Sequence, residues 1–319
     1  MSEPDSSRPL PGPVAVIVNP RAADGRTGRV WPELRRDAES ALGPLEVFTT
    51  TEPGHAIELS RAALRQGCRT VIAVGGDGTV SEVANGFFEN DQLVSRQAVL
   101  GIVPQGTGSD LRRGLGLPLE ERAALEIIRR GATRTIDVES VRFVTHSSQP
   151  GHRISVNIAS FGMGGAVAAR ANRASKWLGG KALFQWATLR TALAFRGNTV
   201  RLRLDGQPLA PVRISNVAIG NAQFHGAGMW VCPRARMDDG LLDVTIFQYL
   251  SLWGIVGSFS VLYNGKIYDH PKVDFHRAKR VEADADEPTL LEVDGEPVGR
   301  LPVEITVLPR ALTLYAPGA

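Results

Sequence analysis

The stretch Thr70–Gly86, TVIAVGGDGTVSEVANG, constrains the fold of this chain more than any other. Its first residues, Thr70 to Val74, form a β-branched apolar run of the kind that makes a buried strand. They lead directly into Gly75, Gly76, Asp77 and Gly78, and then into a pattern that sets Val80, Val83, Ala84, Phe87 and Phe88 on one helical face. The local fold is therefore strand, glycine turn, helix. Thr79 and Glu82 stand three apart at the junction, which is capping-box spacing, so Thr79 is expected to cap the helix while Glu82 reaches back to the Thr79 amide. Gly75, Gly76 and Gly78 let the backbone take positive φ and leave no Cβ to block a ligand. The first amides and the positive end of the helix dipole favour an anion. A phosphate suits such a turn. Asp77 sits in its middle, where a carboxylate repels phosphate unless a divalent cation or a hydroxyl proton lies between them, and so points to a nucleotide with Mg2+. The plainer reading is that Asp-Gly in a glycine-rich turn is common loop chemistry that binds nothing.

The same rhythm runs through the first part of the chain. Val14–Val18 reads as a strand ended by Asn19-Pro20 and a loop with Gly25 and Gly28, followed by a helix over Arg29–Leu42. Leu45–Thr50 and His55–Gln66 make the next strand and helix. Ala98–Val103 is a further strand, leading through PQGTGSDLRRGLGLP to a helix over Leu119–Arg130. This alternation predicts a doubly wound, mostly parallel α/β domain over residues 13–137, with ligands at the carboxyl ends of its strands. Residues 1–12 are polar and proline-rich and are expected to form a disordered tail. After Asp137 strand-like runs follow one another across turns: RISVNIASFG, TVRLRLDGQPL, VRISNVAIGN, GLLDVTIFQ and VEITVLP. That pattern predicts an antiparallel β-sandwich domain over residues 138–319, whose terminal strand is a candidate to return to the first domain. Asp205-Gly206, Asp239-Gly240 and Asp294-Gly295 are its expected hairpin turns. Helices are expected between Gly165 and Gly197, chiefly over Leu178–Phe195.

Composition removes several classes of function. The 36 basic and 33 acidic residues nearly balance, for a net charge of +3, and no dense Lys/Arg run occurs, so nucleic-acid binding is disfavoured. Cys68 and Cys232 stand far apart without metal-ligand spacing, which disfavours a disulfide framework or a zinc site. The N-terminus has no apolar signal core. Tyr249–Tyr263 is the longest nearly uncharged stretch, falls short of the ~20 residues of a membrane span, and reads as a buried or peripheral helix. These features fit a cytoplasmic protein. No GxxxxGK[ST] occurs and no GxGxxG follows a strand, so neither a P-loop enzyme nor a dinucleotide oxidoreductase is indicated.

Taken as one word, GGDGT followed by a helix reading xxEVANG resembles the nucleotide-binding signature of the diacylglycerol kinase catalytic family, which includes bacterial lipid kinases, sphingosine kinases and ceramide kinases. NAD kinases and phosphofructokinases are similar in GGDG alone; Glu82 and the Asn85-Gly86 continuation favour the lipid branch. The resemblance extends from Asn19 to the C-terminal strands. It implies a kinase that uses ATP and Mg2+ to phosphorylate a lipid hydroxyl, with diacylglycerol the first candidate and phosphatidic acid the product. The lipid would lie between the domains, with peripheral contact to a membrane. Homodimerisation is left open.

The resemblance also implies roles for particular residues. The nucleotide would be held by Asn19, Pro20 and Thr50, by Gly75, Gly76, Asp77, Gly78, Thr79, Val80, Ser81 and Glu82, and by Thr107 of the GTGSD loop. Ser109 replaces that loop's usual asparagine and loses its paired donor and acceptor. The glycine usual three residues after the Asn-Pro proline is displaced here to Gly25. Asp110 reads better as a helix-start residue. MDDGLLDV resembles a structural magnesium loop, with the Asp239 carboxylate and the carbonyls of Arg236 and Leu241 as ligands; the alternative is a hairpin turn without metal. Asp137 is a weaker candidate to support that loop. Glu296, just after Asp294-Gly295, matches the family's catalytic acidic residue, with partial burial expected to raise its pKa; Asp77 is its rival as proton acceptor. Trp177, Phe184, Trp186, Phe195, Trp230 and Trp253 are candidates to line a lipid pocket or a membrane face. Two competing readings are an NAD kinase-like enzyme with a soluble acceptor and a non-catalytic lipid or nucleotide sensor.

Overall fold

The computed structural model describes residues 10, 12–105, 110–175, 195–226, 228–251, 254, 257 and 259–317. The chain divides into two compact units, one formed by residues 1–136 and 310–319 and the other by residues 137–309.

In the first unit, β1 (Val14–Val18), α1 (Arg26–Leu42), β2 (Leu45–Thr49), α2 (His55–Arg65), β3 (Thr70–Gly75) and α3 (Asp77–Gly86) follow in turn. A small hairpin of β4 (Phe88–Glu89) and β5 (Gln92–Leu93) precedes β6 (Val99–Pro104), α4 (Asp110–Leu115) and α5 (Glu121–Arg130). β2, β1, β3 and β6 pair in that order and all in parallel. The end of the chain joins beyond β6, where Leu314 pairs in parallel with Leu100. β1, β3 and β6 are buried at every position, as strands covered on both faces must be. One face, with Val14, Val16, Val18, Ile72, Val74 and Val103, packs on Leu34 and Ala38 of α1 and on Leu125 and Ile128 of α5. Gly101 allows that approach, since a Cβ there would come within 3.0 Å of Ile128 Cδ1. The alternate residues Ala15, Ile17, Val71 and Ala73 are fully buried on the other face, which α2 and α3 cover. α2 and α3 touch closely: a Cβ on Gly86 would lie 2.4 Å from Ser60 Cβ, and the Ser60 hydroxyl donates to Val83 O at 2.9 Å.

The second unit begins within β7 (Thr133–Thr145) and continues through β8 (Pro150–Ser155), β9 (Ile158–Gly162), α6 (Met163–Ser175), β10 (Asn198–Leu204), β11 (Gln207–Pro208) and β12 (Val212–Gly220). A short hairpin, β13 (Phe224–His225) with β14 (Met229–Trp230), precedes β15 (Leu242–Gln248), β16 (Val273–Ala278), β17 (Arg280–Ala285), β18 (Leu290–Val293) and β19 (Glu296–Tyr315). β8–β7, β9–β12, β9–β18, β10–β11, β10–β12, β10–β17, β12–β15, β13–β14, β15–β16, β17–β19 and β18–β19 are all antiparallel. The ladder from β10 passes through β12, β9, β18, β19 and β17 and returns to β10, leaving no free edge along that path. Its interior is a cluster of aliphatic residues with Phe143 and Phe161.

Several local expectations change. α1 starts at Arg26 rather than Arg29, because Gly25 at φ 78° ends the loop and Gly28 lies inside the helix, its amide on Pro20 O at 3.1 Å. RISVNIASFG is two strands, broken at residues 156 and 157. Asp205-Gly206 and Asp294-Gly295 both take consecutive positive φ and close two-residue hairpins. Asp239-Gly240 does not join two paired strands; only Gly240 has positive φ there. The helix expected over Leu178–Phe195 lies almost wholly outside the described residues, as do the N-terminal tail, Thr107, Ser109, Trp177, Phe184, Trp186 and Trp253, and much of the uncharged stretch 249–263. Among the described residues, no helix is long and apolar enough to cross a membrane.

Candidate active site

The carboxyl ends of the first unit's parallel strands bring four sequence-predicted segments together. β3 ends at Gly75, Gly76 is the N-cap of α3, and Asp77 is its first residue. Gly76 has no side chain to cap the helix, so the anion-attracting end of α3 meets no carboxylate or hydroxyl from its own N-cap. Asn19, following β1, donates from Nδ2 to Thr79 Oγ1 at 3.0 Å and accepts from the Arg21 amide at 3.0 Å. Its own amide bonds Val74 O at 3.1 Å. Pro20 abuts the first turn of α1, and Thr50, buried after β2, donates its amide to Val18 O at 2.9 Å.

Gly75 acts here through close approach rather than through left-handed backbone. Gly76 has φ −84° and Gly75 is not left-handed either. A Cβ on Gly75 would lie 2.4 Å from Thr79 Oγ1, so glycine is what lets α3 start this close to β3. The capping box is also replaced. Glu82 reaches α2 instead of Thr79, its carboxylate accepting from the amides of Gly54 at 2.8 Å and Ala56 at 3.2 Å. Gly54 is the N-cap of α2 and offers no side chain, so Glu82 does the capping from another helix. Val80 and Ser81 are buried in the first turns of α3.

Asp77 Oδ2 accepts the Asp110 amide at 3.3 Å, tying the start of α3 to the start of α4, and Asp110 is a helix-start residue as expected. A small recess there is bordered by Gly75, Gly76, Asp77, Ile102, Leu111 and Arg112. Arg112 donates to Leu117 O at 2.6 Å, and its buried Nε has no partner among the described residues. Sequence reasoning passed over Arg112; the Arg pair in LRRGL directly after the second glycine loop was the available signal. The arrangement sets a helix start and a guanidinium around one recess, which is chemistry for binding phosphate.

Residues 13–141 match the profile of the diacylglycerol kinase catalytic domain, and residues 157–316 that of the YegS C-terminal NAD kinase beta sandwich-like domain. The chain is 31% identical over 264 residues to a diacylglycerol kinase of Mycobacterium tuberculosis, covering 82% of this chain and 81% of the relative. It is also 31% identical over 309 residues to a probable YegS-like lipid kinase of Pseudomonas aeruginosa, covering 95% and 94%. The chain belongs to the diacylglycerol kinase family. It is a kinase by that membership. A crystal structure of a putative diacylglycerol kinase from Bacillus anthracis shares the fold, with TM-score 0.75, 24% identity and 95% of each chain covered. Yeast NADH kinase shares it more distantly, at TM-score 0.52 and 12% identity over 100% of this chain and 89% of that one.

The kinase's second unit holds the remaining sequence-predicted residues. Asp239 Oδ1 accepts the Leu241 amide at 3.2 Å while Oδ2 pairs with Arg277. Arg236 is exposed, with Nε 3.6 Å from Asp238 Oδ1. Buried Asp137 joins this loop: Oδ2 accepts the Gly240 amide at 2.7 Å and its own amide bonds Met237 O at 2.6 Å. Burial pushes Asp243 up to about 6, against the pull of Arg277 at 3.0 Å.

Glu296 is exposed at the start of β19, not partly buried as expected. The buried carboxylates are its neighbours in the turn. Asp294 accepts from the Ser155 hydroxyl at 2.7 Å and from the amides of Asn157 at 3.0 Å, Val156 at 3.2 Å and Ile158 at 3.3 Å. Glu292 accepts from the Ser160 hydroxyl at 2.5 Å and the Gly295 amide at 2.7 Å, with His225 Nε2 at 3.2 Å. Burial, joined by the charge of Asp294, pushes Glu139 well above its ordinary range. Trp230 is half-buried and stacks on Phe224, ring centroids 5.3 Å apart.

Proposed function

We propose that this kinase transfers the γ-phosphate of MgATP to the hydroxyl of a lipid, with diacylglycerol the first candidate and phosphatidic acid the product. The observation that carries the reading is the start of α3, where Gly75, Gly76, Asp77 and Arg112 border one recess and Asn19 ties the loop after β1 to Thr79 in the same helix turn. The relatives named diacylglycerol kinase and probable lipid kinase support the acceptor class.

In this reading the α3 amides and Arg112 stabilise the phosphate oxygens, and Asp77 lies on the magnesium side of the nucleotide. Asn19, Pro20, Thr50, Gly75, Gly78, Val80, Ser81 and Thr107 shape or contact the nucleotide site. Glu82 serves it by fixing α2 against α3. Glu296 takes the proton of the lipid hydroxyl as that oxygen bonds to phosphorus and the bond to the departing ADP breaks. Its exposure on the turn suits a residue that meets a bulky acceptor.

The Asp239 carboxylate and the carbonyls of Arg236 and Leu241 would hold a structural Mg2+, being the hard oxygen donors this ion takes. Arg277, now paired with Asp239, would share that charge. Bound there, the ion would brace the loop that Asp137 already holds. The protein would work in the cytoplasm and meet its lipid at a membrane surface.

The experiment is phosphate transfer from labelled ATP with Mg2+, offered detergent-dispersed diacylglycerol, a total lipid extract and NAD in parallel. Label in the lipid phase supports the reading. Label only in NAD makes the protein a kinase of a soluble acceptor, and ATP binding without transfer to any of them makes it a sensor.

A further inference from the structure

Glu292 is 1% exposed, and burying a carboxylate there is costly unless its charge is used. Burial raises its pKa, and His225, Ser160 and the Gly295 amide work against that rise. The three partners also differ in what they do. Ser160 belongs to β9 and closes the core side, whereas Gly295 is the residue immediately before Glu296, so Glu292 pins the turn that carries Glu296.

The third partner is the informative one. His225 lies in the β13–β14 hairpin with a side chain 17% exposed, and its Nε2 faces Glu292 Oε1 at 3.2 Å. Its Nδ1 has no partner among the described residues. A carboxylate that orients an imidazole through one nitrogen leaves the other with a defined direction and, in the neutral ring, a lone pair. Beside it, Asn157 donates from Nδ2 to Phe224 O at 3.0 Å, and its amide bonds Asp294. The buried Asn157 Oδ1 has no partner among the described residues. One buried acceptor, Asn157 Oδ1, thus stands unsatisfied near the turn of Glu296 and calls for a donor, and the partly exposed His225 follows Phe224, whose carbonyl Asn157 holds.

We propose that His225, oriented by Glu292, is an acceptor-binding residue of this kinase: its Nδ1 accepts a hydrogen bond from a hydroxyl of the lipid acceptor, while Glu292 is the positioning residue for both His225 and the Glu296 turn. The inference rests on the lipid kinase reading above. Asn157 Oδ1 supplies a second acceptor for a hydroxyl or an ordered water at the same place.

The test compares three substitutions in the full-length protein with dispersed diacylglycerol. His225→Asn keeps a polar atom near the Nδ1 position, His225→Gln keeps one near Nε2 and so the contact with Glu292, and His225→Phe removes both. Each is measured for KM of lipid, KM of ATP and thermal unfolding. The expected result is a KM for lipid raised about tenfold or more in His225→Gln and His225→Phe, with a smaller rise in His225→Asn. KM for ATP stays at the wild-type value. Wild-type lipid KM in all three, or rescue by Gln and not Asn, overturns the inference, since the residue would then serve only structure. A lipid KM that changes only in step with lost thermal stability overturns it too. No lipid phosphorylation by the wild-type protein overturns the lipid kinase reading and this inference with it; normal wild-type activity with indifferent variants overturns the inference alone.

Discussion

Gly75→Ala tests how the loop between β3 and α3 is built. An ideal Cβ at this position lies 2.4 Å from Thr79 Oγ1, 2.6 Å from Thr79 Cβ and 2.8 Å from Thr79 Cγ2. Rotating χ1 of Thr79 moves Oγ1 and Cγ2 but leaves Cβ where it is, so no rotamer relieves the contact. The hydroxyl is also held by Asn19 at 3.0 Å. The start of α3 must therefore withdraw from β3 by about 1 Å to regain ordinary carbon contact. Overpacking of this kind costs about 1–3 kcal/mol. If the α3 start binds phosphate as proposed, a displacement of that size should lower turnover by about a hundredfold. Urea unfolding gives the first quantity and initial rates at saturating lipid give the second. In a Thr79→Gly background the clash disappears, so the two substitutions should couple by roughly 1–2 kcal/mol in a double-mutant cycle. Gly75→Ala within about 0.5 kcal/mol of wild type, with normal turnover, would refute the close-approach argument.

Two further outcomes follow from named contacts. Glu82→Gln loses the charge that caps α2 at the Gly54 and Ala56 amides and should destabilise the protein by about 1–2 kcal/mol, read as a lowered Tm; an unchanged Tm would show that the cap carries no weight. Glu139 is held well above 4.5 by burial and by Asp294. A raised folded value means that the native state keeps a proton the unfolded chain releases, so stability falls as pH rises from about 4.5 towards the folded value. Glu139→Gln removes that fall, and its Tm relative to wild type should climb as pH rises above about 4.5. Parallel Tm curves for the two proteins would contradict it.

The α/β architecture was readable because its strands are uninterrupted apolar runs and each ends in a turn residue. Val14–Val18 and the start of β3 at Thr70 emerge as read, and each parallel strand presents its loop at the same sheet edge. Local spacing misled where the partner was distant. Thr79 and Glu82 have capping-box spacing, yet i and i+3 are also neighbours in any helix interior, and Glu82 finds its amides 28 and 26 residues away. Positive φ was the obvious reason for Gly75 and Gly76, whereas the operative one for Gly75, contact with Thr79, depends on where the helix turns. Asp294 closes the hairpin its Asp-Gly pair announces, but its burial was not legible, because the gap between β8 and β9 at residues 156 and 157 aims three amides and the Ser155 hydroxyl at its carboxylate. Arg112 and His225 were invisible for a related reason, since each gains meaning only from what packs beside it.

The central claim is that phosphate passes from ATP to a lipid hydroxyl with Glu296 as proton acceptor. The most direct measurement is transfer of labelled phosphate into dispersed diacylglycerol by wild-type protein and by Glu296→Gln, with thermal unfolding and ATP affinity recorded for both. The expected result is a labelled lipid product from wild type, a loss of about 100-fold or more in the variant, and unchanged unfolding and ATP affinity. A Glu296→Gln protein that phosphorylates diacylglycerol at the wild-type rate would contradict it.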